Sequence, residues 1–371
     1  MNEVSDRKLA QLNTLMELTA LVNSTLDTHE VRKRAIEAAT RLVNAEAGSL
    51  ILKDKENNEL FFEVALGDKG EKVKEIRLKK GEGIAGWVAE KGKPVIVHDV
   101  QSDPRFFRGA DDRSEFFTRD MICVPVKTKE EILGVLQTIN KKAGNFDNED
   151  MEILCALANQ VAVAIENANL YQELKDTFYG TAQALAETIE KRDPYTGGHT
   201  KRVMNYSLAI GRMLGLNRAE LENLKLSAIL HDIGKIGIRD NVLLKEGRLE
   251  PGEFEVMCMH PKYGSEILSH VKQLKDVIPG MRGHHEKYDG TGYPDGLKAN
   301  EIPFAARIIA VADTFDAMTT NRPYRKARTA DDAFDELKKY AGKQFDPLVV
   351  DAFLKAWPEI RRDEKEMEIV L

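Results

Sequence analysis

Apolar and polar positions change rhythm along this chain, and the change divides it. Residues 6–22 place Leu9, Leu12, Met16 and Leu18 near helical spacing, and Val31 to Val43 repeats that pattern before the small residues Ala45, Ala47 and Gly48. From there the period shortens. SLILKD, ELFFEVAL, KEIRLK, KPVIVHDV, DMICVPVK and ILGVLQTIN are short runs rich in β-branched residues, separated by DKENN, GDKG and GNFDN. They predict an antiparallel sheet flanked by helices.

Helical spacing returns near Asn148 and continues to about Lys191 without proline. Inside that stretch Tyr171, Leu174, Phe178, Thr181 and Leu185 follow a 3,4,3,4 spacing, the short seam that one helix presents to a second. Beyond Asp193 the pattern is almost wholly helical: SLAIGRMLGL, ELENLKLSAILHDIGK, GEFEVMCMH, GSEILSHVKQL, ARIIAVADTFDAMTT and ADDAFDELKKYAG. A sheet-containing half joined by a long helix to an all-helical half is the expected architecture, with the boundary near residue 170.

Composition narrows the setting. At 371 residues the chain exceeds what one core usually organises. Charged residues make up 31% and the net charge is −7, which argues against a general nucleic-acid binder. The polar start MNEVSDRKLAQ lacks a secretory pattern and no apolar run reads as a membrane span, so a cytoplasmic protein without a membrane partner is expected. Cys123, Cys155 and Cys258 lie far apart without metal-type pairing and read as inert thiols.

The chemistry lies in the helical half. Five of the eight histidines fall there beside carboxylates in apolar surroundings: His199, His231, His260, His284 and His285. Imidazole and carboxylate together suit a divalent transition metal, and a buried Asp232 or Asp313 without a partner would be costly. In LSAILHDIGKIG, Lys235 returns to the face of His231 and Asp232. An ammonium group beside a metal centre implies an anion, and a phosphate supplies one. Arg325 and Arg328, three residues apart in RPYRKAR, can turn toward one phosphate if helical.

His199, then His231–Asp232, then Asp313 resembles the H…HD…D pattern of the HD-domain metal phosphohydrolases. HDIGK, His260 and HHEKYDGTGYP are similar to the HD-GYP subfamily, over about Glu187 to Phe353. The resemblance implies hydrolysis of cyclic di-GMP to pGpG or GMP. His199, His231, Asp232 and Asp313 would hold one metal, and Asp232 would bridge to a second bound by His260, His284 and His285. Lys235 would contact the scissile phosphate, and Gly292, Tyr293 and Pro294 would form the GYP loop, a surface for protein partners. Basic residues after the last aspartate also fit, as Arg325 and Arg328. Iron is the implied metal, with manganese as an alternative. A third metal is not expected, because the segment before His199 reads EKRDPYTGG and leaves only Glu190 and Asp193 as acidic groups.

GEGIAGWVAEKGKPVIVHDVQSDPRF with CVPV…GVLQTINKK…FDNED resembles a GAF domain, an α+β sensory fold with a ligand that the sequence does not name. Asn140, Lys141, Phe146 and Asp150 partly match a motif of cyclic-nucleotide-binding members, and His98 reads as structural. The expected organisation is an N-terminal helix over 1–27, a GAF-like domain over 28–168, a connecting helix over 169–186 and an HD-GYP domain over 187–371. The GAF and connecting helices are expected to make a homodimer. Two further functions stay open: a catalytically weak sensor or docking module, and a phosphodiesterase for another cyclic dinucleotide.

Overall fold

A computed structural model describes residues 13–54, 57–66, 76–79, 81–114, 116–192, 198–321 and 326–370. The chain divides into two compact units, Met1–Lys175 and Asp176–Leu371.

All six anticipated runs become strands: β1 (Ala45–Lys53), β2 (Leu60–Leu66), β3 (Arg77–Leu78), β4 (Val95–Val97), β5 (Met121–Lys127) and β6 (Ile132–Lys141). They form one antiparallel sheet in the order β3-β2-β1-β6-β5-β4. Side chains alternate across it, as a pleated strand requires. Leu50, Leu52, Ile122, Val124, Val126 and Leu136 face one core, closed by helix Thr28–Leu42 and by Leu154, Leu157, Val161 and Ile165 of the long helix. Ile51, Met121, Cys123 and Val135 face the other, covered by helix Gly83–Lys91. Both faces of β1 and β6 are therefore buried, which explains their nearly continuous apolar sequences. Residues 13–22 are helical and contribute Leu18 and Val22 to the first core.

The long helix spans Asn148–Arg192, one residue beyond the sequence expectation. By length and composition it is apolar enough to cross a membrane, a match that the sequence reading had not found. Much of its apolar surface, from Leu154 to Ala168, is already buried in the sheet unit's core. Tyr171, Leu174 and Leu185 of the proposed seam are exposed, whereas Phe178 packs partly on apolar neighbours.

The second unit is helical among its described residues, as its spacing predicts. Helices His199–Met213, Arg218–Leu230, Phe304–Thr319, Ala330–Lys339 and Pro347–Val370 surround an aromatic cluster of Tyr206, Phe315, Phe334, Phe353 and Trp357. Phe315 and Phe353 meet edge to face at 4.8 Å. The last helix, which carries Pro358 inside it, was not among the anticipated segments. A smaller core joins Ala182, Ala186 and Ile189 from the end of the long helix to Ile229, Leu230, Val277 and Met281. The two cores hold the helix ends from which the site is built.

Candidate metal centre

Six of the seven proposed ligands sit at breaks between helices. His199 opens its helix, and His231 caps Arg218–Leu230. At Asp232 (φ −100°, ψ 4°) the chain leaves the α-helix for a 3-10 turn, Ile233–Gly237. His260 opens another helix, and His284–His285 follow Ile278–Arg282. Asp313 alone lies mid-helix, within Phe304–Thr319. At Gly234 a Cβ would overlap the His260 carbonyl oxygen, so only glycine lets these two segments approach.

Backbone carbonyls orient three of the rings. His231 Nδ1 lies 2.7 Å from the Ala228 carbonyl, His260 Nδ1 2.8 Å from that of Met257, and His284 Nδ1 2.6 Å from that of Met281. A carbonyl can only accept, so each Nδ1 carries a proton and donates it, which turns Nε2 toward the centre. His199 is aimed by a carboxylate instead: its Nδ1 is 2.7 Å from Asp316 Oδ2. Arg202 donates to both oxygens of Asp316, at 2.5 and 3.0 Å.

The inward atoms form two groups joined by Asp232. Oδ2 of Asp232 lies 3.4 Å from His231 Nε2 and 4.0 Å from His199 Nε2, while Asp313 Oδ1 lies 3.4 Å from His199 Nε2. Oδ1 of Asp232 lies 3.4 Å from His260 Nε2, itself 3.5 Å from His284 Nε2. Ligand atoms of His199, His231 and Asp313 lie within 4.8 Å of one another, as do those of His260, His284 and His285. Lys235 Nζ is 2.7 Å from Asp232 Oδ2, on the expected face.

Electrostatics fits cation binding. Burial opposes charge on His231, but Asp232 and Asp313 outweigh it and raise its pKa to about 9. Burial also works against the Asp232 carboxylate, yet Lys235 and His231 hold its pKa well below the usual range. Burial lowers His260 to about 3, His285 to about 4 and His284 well below its ordinary value, so these rings stay neutral and ready to ligate. Facing Nε2 atoms 3.3–3.5 Å apart, with a proton on His231 that a metal would displace and neutral rings at His260 and His284, are a donor set a divalent metal satisfies.

A cavity of about 450 Å³ opens onto this centre, lined by His199, Asp232, Lys235, His260, His285 and Asp313 among others. Tyr293 lines it too, its ring tilted 31° against His285 at 4.8 Å. Gly292 is required beside it, since a Cβ would come 2.5 Å from the Glu286 Cα. Pro294 follows through a cis peptide bond. Arg328 is placed elsewhere: its Nη1 lies 3.6 Å from Glu336, in a recess also lined by Asp332, Asp335 and Lys339. Arg325 and Asp193 lie outside the described residues. Glu190 accepts a hydrogen bond from the Thr200 backbone N–H.

Sequence reasoning missed two buried carboxylates that build the site. Asp316 is one helical turn after Asp313, and that spacing was a readable signal. Glu286 directly follows the paired histidines and accepts the backbone N–H groups of Asp295 (2.7 Å), Gly296 (3.1 Å) and Leu297 (3.1 Å), tying down the chain just after Tyr293 and Pro294.

A helical unit with a carboxylate-bridged array of histidines is the HD class of metal-binding proteins. The chain belongs to the HD-domain family: the family's HD domain matches residues 183–349, and a GAF domain matches residues 25–166. The chain is similar to a cyclic di-GMP phosphodiesterase of Thermotoga maritima, 38% identical over 251 residues that cover 61% of this chain and 68% of the other. It is also similar to 3′3′-cGAMP-specific phosphodiesterase 2 of Vibrio cholerae, 36% identical over 57% of this chain and 41% of that one. The sheet unit aligns with the GAF domain of an Acinetobacter phosphoenolpyruvate-protein phosphotransferase at 22% identity and a TM-score of 0.39, covering 44% of this chain and 98% of that one.

Proposed function

We propose that the C-terminal unit hydrolyses cyclic di-GMP to pGpG or GMP, under control of the GAF unit. The observation that carries this reading is Asp232, whose two oxygens face two separate groups of imidazoles while Lys235 sits beside one of them. His199, His231, Asp232 and Asp313 would hold one divalent metal, and Asp232, His260, His284 and His285 a second. Iron is the first choice and manganese the alternative. Bound there, the metals supply Lewis acidity to a phosphodiester. Lys235 offers ammonium protons to the developing charge on the phosphoryl oxygens. Asp316 and the three backbone carbonyls hold the rings in place, and Glu286 holds the loop carrying Gly292, Tyr293 and Pro294 as the cavity wall. Arg328 is turned to Glu336, so its phosphate role is not part of this proposal, whereas Arg325, outside the described residues, keeps its expected role as a phosphate ligand.

The sensory domain is assigned to 28–168 and the hydrolase domain to 187–371, its core extended back to Ala182. A cytoplasmic homodimer through the exposed seam at Tyr171, Leu174 and Leu185 completes the reading. A sensor without catalysis is disfavoured by the completeness of the ligand set. A different cyclic dinucleotide is kept as the second substrate reading by the relative named for 3′3′-cGAMP.

Anaerobically purified protein should contain two metals per chain and convert cyclic di-GMP faster than 3′3′-cGAMP. Asp232→Asn should lower metal content at both sites and turnover at least a hundredfold, since it removes charge shared by both. Full metal content with normal turnover would remove Asp232 from the centre.

A further inference from the structure

A cyclic dinucleotide carries two phosphodiesters, and the proposed metals with Lys235 attend only to the one being cut. We propose that Lys245 binds the other. Among the described residues lining the 450 Å³ cavity, Lys235 and Lys245 are the two that bear lysine or arginine cations. Lys245 lies just after the short helix Asp240–Leu243, whose Val242 and Leu243 line the cavity with Leu249 and Met257. This wall therefore offers apolar surface for a purine next to an ammonium group for its phosphate.

The ammonium group is tethered without being saturated. Its Nζ donates to Glu253 Oε2 at 2.5 Å, and Glu253 Oε2 also accepts the Glu250 backbone N–H at 2.8 Å, which fixes the carboxylate at its helix start. The second neighbour, Glu250 Oε1, stands at 3.6 Å, beyond hydrogen-bond length, on a side chain 78% exposed. An ammonium group has three protons, so Lys245 can keep Glu253 as a tether and give the others to a phosphate that displaces water and the loose Glu250 contact. A screened surface pair adds little stability, and its place on the cavity wall is better accounted for by a ligand. Lysine suits this task because one compact charge on a flexible stem can follow a phosphate.

The inference rests on the cyclic-dinucleotide reading, and one experiment separates the two. Metal-loaded full-length protein, Lys245→Ala and Lys245→Arg are assayed on cyclic di-GMP and on bis(p-nitrophenyl) phosphate, which has a single phosphate, with metal content and melting temperature measured in parallel. Lys245→Ala should raise KM for cyclic di-GMP about tenfold or more, with kcat within a few fold, as expected for the loss of one charged hydrogen bond. Its effect on the small ester should be at least tenfold smaller, and Lys245→Arg should recover most of the loss. If wild-type protein turns over cyclic di-GMP and Lys245→Ala leaves its KM unchanged, or impairs both substrates equally, Lys245 is not the second-phosphate ligand. If wild-type protein cleaves the small ester but neither cyclic di-GMP nor 3′3′-cGAMP, the substrate reading itself fails and this inference falls with it.

Discussion

The two units treat their enclosed polar side chains in opposite ways. In the sheet unit the cluster around Asn140 and Lys141 satisfies itself, although the Ser49 and Thr138 hydroxyls find no partner. Asn140, at φ 56°, accepts the Arg119 N–H at 2.8 Å and donates to Glu46 and to the Phe117 carbonyl, each at 2.9 Å. Lys141 pairs with Asp150 above the Phe146 ring. The motif that hinted at nucleotide binding is thus a closed latch between β6 and the long helix. In the helical unit, backbone carbonyls pin one ring nitrogen of each of three histidines and leave the other facing its like. Closed networks mark scaffold, and convergent lone pairs mark a site.

The sharpest test of that contrast is separation. A fragment beginning at Asp176 should fold, bind metal and hydrolyse, whereas one beginning at Glu187 should not, because it lacks Ala182 and Ala186 of the core beneath His231. Metal content and circular dichroism decide it. An inactive but folded and metallated fragment from 176 would show that the helical unit is not self-sufficient.

Two glycines offer a matched pair. A Cβ at Gly234 would overlap the His260 carbonyl oxygen, and one at Gly134 would overlap that of Ile51. Each alanine substitution should destabilise its own unit by about 3 kcal/mol or more through backbone strain. Gly234→Ala should abolish metal binding, and Gly134→Ala should spare it. Calorimetry with metal analysis would reveal any crossover.

A milder change addresses ring aiming. Asp316→Asn keeps size but loses the charge that holds His199 and Arg202. Burial resists that charge, and the two partners nonetheless hold the Asp316 pKa below its usual value. Metal affinity should fall about 10- to 100-fold with little change in melting temperature. Competition with a chelator measures it, and unchanged affinity would reduce Asp316 to a structural role.

The smallest effect is a pH slope. Buried His260 and His285 have pKa values lowered to about 3 and about 4, from an ordinary value of 6.5. The unfolded chain therefore binds more protons than the folded one between those values and 6.5, and stability must fall as pH drops through that window. His231, raised to about 9, contributes an opposite slope near pH 6.5 that fades toward pH 5, where it is protonated in both states. Chelator-treated protein followed by denaturant titration from pH 6.5 to 5 should lose stability, and metal-loaded protein should resist until protons displace the metal. A flat profile would mean these rings are not buried as described.

Much of this was legible because it is periodic or chemically rare. Short β-branched runs between turn formers located every strand of the sheet, and apolar runs ending in His231–Asp232 or holding Asp313 disclosed carboxylates forced into nonpolar places. Strand order was not legible, since pairing is decided by contacts distant in sequence. Asp316 and Glu286 were overlooked because neither belongs to the ligand pattern, although each sits within three residues of a ligand. Lys245 had no signal at all. Thirteen residues past Asp232 in a polar segment, it reaches the cavity only through the short helix Asp240–Leu243 and the fold around it.

The carbonyl clasps on His231, His260 and His284 bear on how the protein survives the loss of its ions. Their anchors belong to helix ends that are packed independently of any ligand, so the rings keep their bearings when an ion leaves. Demetallation then becomes an exchange reaction rather than an unfolding one. Resupply of metal alone should then restore the loaded state, without chaperone or new synthesis.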